Sequence, residues 1–244
     1  MINGILEYSD IFQSDFKSDI EKYRDIFIIY LKSRFEQNFL DISYVPDTKQ
    51  DTVEKFWGDG NFANIWLTFQ DIVTKYQTPY FFNVAKDYLK GSILDIGGGS
   101  GSLSDSLKKI DNSLNFTVLD LPDTIDRIQK YKDIKYIGDN ILTHNYENYD
   151  VCICKDILKC FNEKDILNIL SKLKNSVNTI VIHESMGKML EKADSPFFQS
   201  EWALEILSHY KPEFYFNIAK KIGMNVSLHK TCDKNGYDTI ILTK

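Results

Sequence analysis

Four glycines placed directly after a short apolar run constrain this chain more than any other stretch. Residues Ser92 to Asp105 read SILDIGGGSGSLSD. Ile93, Leu94 and Ile96, with the single acid Asp95 among them, predict a buried strand; Gly97, Gly98, Gly99 and Gly101 predict a tight turn, and a helix opens near Ser102. Glycine is needed where the backbone turns through positive φ or touches a ligand closely. The helix that follows presents unpaired N–H groups at its positive end. A strand, glycine turn and helix in this order bind nucleotide-type cofactors as a class. NAD, FAD and S-adenosylmethionine all use it, so the loop alone goes no further.

From Gly91 onward strands and helices alternate, which predicts an α/β fold with a largely parallel sheet. The strands expected are Ser92 to Ile96, Asn115 to Asp120, Lys135 to Asp139, Asp150 to Lys155, Asn178 to Glu184, Met224 to Thr231 and Tyr237 to Thr243. Helices are expected over Ser102 to Lys109, Leu121 to Tyr131, Glu163 to Leu173 and Pro212 to Ile222. Only Cys232 to Gly236 joins the last two strands, too short for a crossover helix, so they should form an antiparallel hairpin. Dehydrogenase-type Rossmann domains do not usually close this way, whereas class I methyltransferases do. The segment Met186 to Tyr210 is an addition between the fifth strand and its helix, emerging at the carboxyl ends of the strands where ligands bind. It is read either as a pocket wall or lid, or as a surface excursion.

The first 90 residues predict helices instead. Ile20, Tyr23, Phe27, Tyr30 and Leu31 form one apolar face, and Phe62, Ile65, Trp66, Phe69, Ile72, Val73 and Tyr76 a second, separated by the polar segment Pro46 to Asp51. Most of these rings read as the core of a helical region, with the remainder available to roof a pocket for a flat substrate. With 43% apolar residues the chain has ample material for a core. A net charge of −6 argues against a nucleic-acid partner, since phosphate contacts need a basic face. No apolar run approaches the roughly 20 residues that span a bilayer. The opening MINGILEYSD lacks a basic segment followed by an apolar one, so a cytoplasmic protein with a small-molecule substrate is expected. Cys152, Cys154, Cys160 and Cys232 lack paired zinc spacing and read as reduced thiols, and the four histidines suggest no metal site.

Three further signals fall at strand ends. Asp120 ends the second strand about 20 residues after the glycine loop, where a carboxylate can accept both hydroxyls of a ribose. Asp139 and Asn140 follow the third strand, placed to reach an adenine ring, and Lys155 ends the fourth. Together the runs LDIGGGSGSLSDSL, FTVLDLPDTI, IGDNI, VCICKDILKCFNEKDILNIL and IVIHESM resemble the S-adenosylmethionine-dependent O-methyltransferases of the plant caffeate and bacterial polyketide type. The likeness covers Gly91 to the C-terminus, and its most specific parts are the triple glycine with Gly101 and the LDLP element Leu119 to Pro122. It implies a class I methyltransferase domain at 91–244 behind a helical cap or substrate region at 1–90. It further implies S-adenosylmethionine held by Asp95, Gly97, Gly99, Asp120, Leu121, Asp139, Asn140 and Lys155, and a small secondary metabolite as methyl acceptor, with a homodimer as the family assembly.

The chain departs from that pattern where chemistry is expected. The family starts the helix after the fourth strand near a general-base histidine, in a histidine, aspartate, tryptophan run; this chain has Lys159, Cys160 and Phe161. The family's N-terminal region is also longer than the stretch before Gly91. A lysine of ordinary pKa, about 10.4, is neutral in only about one molecule in 2,500 at pH 7, a poor base. Lys159 is therefore read as a base only if a dry pocket lowers its pKa, as a cation orienting a carboxylate, phenolate or enolate, or as a solvated residue at the helix start. Glu184 holds the place of a family glutamate that stands beside the histidine, and a pairing with Lys159 is expected; His183, one residue earlier on the strand, should face the other way. Lys159 and Glu184 are the catalytic candidates. Other catalysis on the same scaffold, such as decarboxylation, hydroxylation or rearrangement, or a noncatalytic partner subunit, are the competing readings.

Overall fold

The computed structural model describes residues 60–186, 210–230 and 237–244. The expected face Ile20 to Leu31, the turn at Pro46 to Asp51, nearly all of the Met186 to Tyr210 segment, and Cys232 lie outside them. The described chain runs α1 (Gly60–Ala85), β1 (Ser92–Ile96), α2 (Ser102–Ile110), β2 (Asn115–Asp120), α3 (Pro122–Arg127), β3 (Lys135–Gly138) and β4 (Tyr149–Lys155). A 3₁₀ turn (Leu158–Cys160) then leads to α4 (Glu163–Ser176), β5 (Val177–Ser185), α5 (Pro212–Ile222), β6 (Asn225–Lys230) and β7 (Tyr237–Thr243).

The strands form one seven-stranded sheet in the order β3-β2-β1-β4-β5-β7-β6. β1 pairs in parallel with β2 and β4, β2 with β3, and β4 with β5; β7 is antiparallel to both β5 and β6. This is the expected α/β sheet closed by a hairpin. Since the sheet is covered on both faces, the inner strands are apolar throughout, as Val151, Cys152, Ile153 and Cys154 show. One core cluster gathers α4 and α5 over the sheet, with Ile166, Ile169, Leu170, Tyr215 and Ile218 against Cys152, Ile180 and Ile240. The other places Phe81 and Ala85 of α1 with Leu103 and Leu107 of α2 against Ile93, Ile153 and Val181.

Local chemistry sets the element ends. Asn162 caps α4 by accepting the amide of Asp165, and α5 opens on Pro212 and stops at Gly223, whose φ of 68° continues no helix. Within α1, Pro79 lacks an N–H, and the Thr78 hydroxyl one residue earlier donates to the Thr74 carbonyl at 2.7 Å. α3 ends at Arg127, short of the expected Tyr131, because Ile128 turns extended and the Tyr131 amide donates to the Tyr136 hydroxyl instead of to a preceding turn. β3 ends at Gly138, so Asp139 belongs to the loop beyond it.

Phe81 is fully buried between α1 and the sheet. Phe81→Ala is expected to lower unfolding stability by about 3–5 kcal/mol, seen as a lower urea midpoint at an unchanged m value.

Candidate active site

Parallel pairing aligns Ile96 of β1 with Leu119 of β2 and Cys154 of β4, so the loops after these strands leave the sheet side by side. The loop after β1 is the glycine turn. Gly97 has φ 66°, and a Cβ there would come within 2.4 Å of the Ile157 side chain, so both backbone and space exclude any larger residue. Gly99, at φ 55°, donates its N–H to Asp120 Oδ2 at 2.8 Å. Asp120 Oδ1 accepts the amide of Leu121 at 2.8 Å. Burial raises the Asp120 carboxyl above its ordinary range, against the lowering effect of those two amides.

Asp95 is 1% exposed beneath the loop and accepts the Ser104 hydroxyl at 2.8 Å, tying β1 to the first turns of α2. Burial pushes its pKa up to about 6. From the other side α1 covers the loop: Leu67 lies 3.2 Å from where a Gly99 Cβ would stand, and the Ser100 hydroxyl donates to Asp71. Desolvation raises the Asp71 carboxyl. Asp71 carried no signal in the sequence, since a lone acid on a helix usually marks a solvated face.

Beyond β3, Asp139 Oδ2 meets His144 Nδ1 at 2.7 Å, and its Oδ1 accepts the Asn140 amide. The His144 hydrogen bond, and then that amide, hold the Asp139 carboxyl below its ordinary range. Asn140 uses its own side-chain oxygen to accept the Leu142 amide at 2.9 Å. His144, one of the four histidines in which the sequence suggests no metal site, thus belongs to this corner, five residues from Asp139.

The loop after β4 holds a cluster of charge. Asp156 is the one non-glycine among the described residues with positive φ, at 57°. Its Oδ2 accepts Lys155 Nζ at 2.9 Å and the Tyr237 hydroxyl at 3.2 Å, and its Oδ1 accepts Lys159 Nζ at 2.9 Å. All three charged side chains are nearly buried, at 7% for Lys155, 10% for Asp156 and 8% for Lys159. Burial alone would raise the Asp156 carboxyl, but Lys155 and Lys159 outweigh it and hold the group below the ordinary range. Lys159 lies in the 3₁₀ turn and is 7% exposed as a whole residue, which overturns the alternative of a solvated helix-start lysine.

Glu184 meets Lys159 in a different way from the pairing expected. Its Oε1 accepts the backbone amides of Leu158 at 2.6 Å and Lys159 at 3.2 Å, and its Oε2 accepts the Tyr215 hydroxyl at 2.8 Å. A strand-end carboxylate therefore fastens the turn, while the lysine ammonium pairs with Asp156. Burial pushes the Glu184 pKa up to about 7, and the Lys159 charge opposes that rise. His183 faces the opposite side as expected, buried against Phe81 and Tyr237 with Nδ1 2.8 Å from the Thr239 hydroxyl. Burial lowers its pKa to about 3, so it is neutral. Cys160 beside Lys159 is a free thiol pushed up to about 12 by burial, which makes it a poor nucleophile. Among the described residues no group of His, Cys, Asp and Glu is placed to hold a metal ion, and no helix is long and apolar enough to cross a membrane.

Seven strands in this order, a glycine turn after the first and an acid closing the second define a class I methyltransferase fold. Residues 52–209 match the O-methyltransferase domain family, and the chain belongs to that family. Isoflavone-7-O-methyltransferase 6 of Medicago sativa is 31% identical over 86 residues, covering 35% of this chain and 24% of that protein. The chain thus matches about a quarter of the length of such curated relatives. Human N-acetylserotonin methyltransferase, solved with SAM, superimposes with a TM-score of 0.68 at 16% identity over 88% of this chain and 65% of its own. An O-methyltransferase family protein from Burkholderia thailandensis gives 0.72 at 12% identity, over 90% and 71%.

Glu184 offers a test of the site's electrostatics. Burial favours its protonated form, so between pH 4.5, its ordinary value, and about 7 the folded chain keeps a proton that the unfolded chain has lost. Stability is therefore lost as pH rises through that window. Relative to Glu184→Gln, the wild-type protein should lose about 3 kcal/mol between those pH values, read from paired urea titrations.

Proposed function

We propose that the chain is an S-adenosylmethionine-dependent O-methyltransferase of small metabolites. The observation that carries this reading is the glycine turn joined to Asp120 through the Gly99 amide, at the carboxyl edge of a sheet of the methyltransferase order. The donor set suits that cofactor: a carboxylate has about four lone-pair positions, so Asp120 has acceptor capacity for a ribose hydroxyl beyond the amides it already holds. Gly97 and Gly99 leave bare backbone for the methionine part, with Asp95 bracing the loop from below. Leu121, Asp139 and Asn140 border the adenine, and Lys155 stands beside the cofactor. When bound, S-adenosylmethionine supplies an electrophilic methyl group on a sulfonium. The chain's own task is to bring an acceptor oxygen into line with that methyl, and alignment alone is worth effective molarities of about 10⁵ M or more.

In this reading residues 1–90 form the cap and substrate region, residues 91–244 hold the cofactor, and Lys159 and Glu184 stand at the acceptor side. Isoflavone, acetylserotonin and eugenol O-methyltransferases among the relatives support an aromatic acceptor. Lys159 in place of the family's histidine favours one second reading, a catalyst on this scaffold that keeps the cofactor and transfers no methyl group.

The purified protein, labelled S-adenosylmethionine and a panel of phenols and carboxylic acids decide between them. Methyl transfer to an oxygen supports the first reading; cofactor binding without transfer to any member supports the second. Asp120→Ala should weaken S-adenosylhomocysteine binding by about tenfold or more in titration calorimetry, with the circular dichroism unchanged.

A further inference from the structure

The glycine turn has one side chain of its own. Gly97, Gly98, Gly99 and Gly101 contribute none, so Ser100, 8% exposed, is the only residue of the turn that a neighbour can hold by its side chain. Glycine-rich backbone loses much freedom when it is fixed in one shape, and a turn left loose binds a ligand less tightly by that cost. The Gly101 amide closes the turn onto the Gly98 carbonyl at 2.9 Å, with Gly99 at its centre at φ 55°. Ser100 is gripped from two sides. Its carbonyl accepts the Tyr136 hydroxyl of β3 at 2.9 Å, while its own hydroxyl accepts the Ser102 amide at 3.2 Å and donates to Asp71 of α1.

The grip from α1 is the one that packing does not explain. Leu67 and Asp71 stand four residues apart and share one face of the helix, and both meet the turn, Leu67 at Gly99 and Asp71 at Ser100. Covering the turn needs only the leucine. Burying a carboxylate is expensive unless it is hydrogen-bonded, and desolvation raises this group, opposed by the side chains of Ser100 and Ser102. An apolar residue would pack α1 without that cost. What the acid adds is a fixed partner for the turn's one hydroxyl.

We propose that Asp71 is a positioning residue for the cofactor. Through the Ser100 hydroxyl it holds the turn in the shape that joins the Gly99 amide to Asp120, so part of the affinity for S-adenosylmethionine comes from α1. The inference rests on the methyltransferase reading and extends it: every cofactor residue expected from the sequence lies after Gly91, and Asp71 brings the helical region before the sheet into the same function.

The turn can be read without cofactor or turnover. Deuterium exchange of a peptide covering Gly97 to Ser102 should be about tenfold faster in Asp71→Ala and in Ser100→Ala than in the wild-type protein. Calorimetric titration with S-adenosylhomocysteine should show each variant binding about tenfold more weakly, and the double variant no weaker than about tenfold, because both substitutions remove one contact. Asp71→Asn, whose amide oxygen still accepts the hydroxyl, should lose no more than about threefold, and Ser100→Thr no more than about twofold. Thr78→Ala removes the hydroxyl bond beside Pro79 in the same helix and should lower the urea midpoint while leaving exchange of the turn and affinity as in the wild type. Ser100→Ala tests the contact from its other end, so the proposal remains open to disproof if Asp71→Ala does not fold. Wild-type affinity or wild-type exchange in Ser100→Ala, a double variant weakened about a hundredfold, or an equal loss in Thr78→Ala each overturn it. A wild-type protein that takes up no S-adenosylhomocysteine overturns the methyltransferase reading instead, while the exchange result still decides whether Asp71 holds the turn.

Discussion

Everything that could be a site here depends on β1 lying between two parallel neighbours. Because β2 and β4 run in the same direction as β1, their carboxyl ends finish level with it, and the three following loops are forced into one neighbourhood. The glycine turn needs that company: its backbone is held by Asp120 from the next strand, and Ile157 from the loop after the strand on the other side fills the space beside Gly97. Parallel pairing also hides both faces of the sheet, so charged groups at its rim are desolvated and respond strongly to one another. The raised pKa values of Asp95 and Glu184 and the lowered one of Asp156 are three outcomes of this single circumstance. What differs is the number of cations nearby.

Much of this was legible in the chain. Strands β1, β2 and β7 begin and end where hydrophobic pattern and flanking turn residues place them, and the closing hairpin follows from a connection too short for a helix. Alternation along β5 separated His183 from Glu184, since neighbours on a strand must face opposite sides. The helix after β2 was overextended because Ile128 and Tyr131 continue an apolar period; a tertiary bond to Tyr136 decides the stop, and no local pattern contains it.

The candidate site was legible in its backbone and less so in its charges. Glycines and strand-end acids show themselves because position alone constrains them. Asp156 did not, for two reasons. A positive φ at aspartate has no sequence signature comparable to glycine's, and its partner Tyr237 stands 81 residues away. The pairing assigned to Glu184 and Lys159 had the right neighbours and the wrong atoms: a short turn points the lysine side chain back toward its own loop and offers the carboxylate two amides instead.

The position of β7 bears on how such a molecule assembles. It is last in order among the described strands, yet it lies inside the sheet, wedged between β5 and β6. Its first residue, Tyr237, reaches the acid that gathers both lysines. Strands β1 to β4 pair among themselves, whereas the charged corner also needs β7, whose Tyr237 stands 81 residues beyond Asp156. Contacts so distant in sequence form slowly, because loop closure precedes any gain from them. The strands around the glycine turn can therefore pair without β7, and a chain in which β7 has not yet joined the sheet holds both lysines without the tyrosine hydroxyl that Asp156 also accepts.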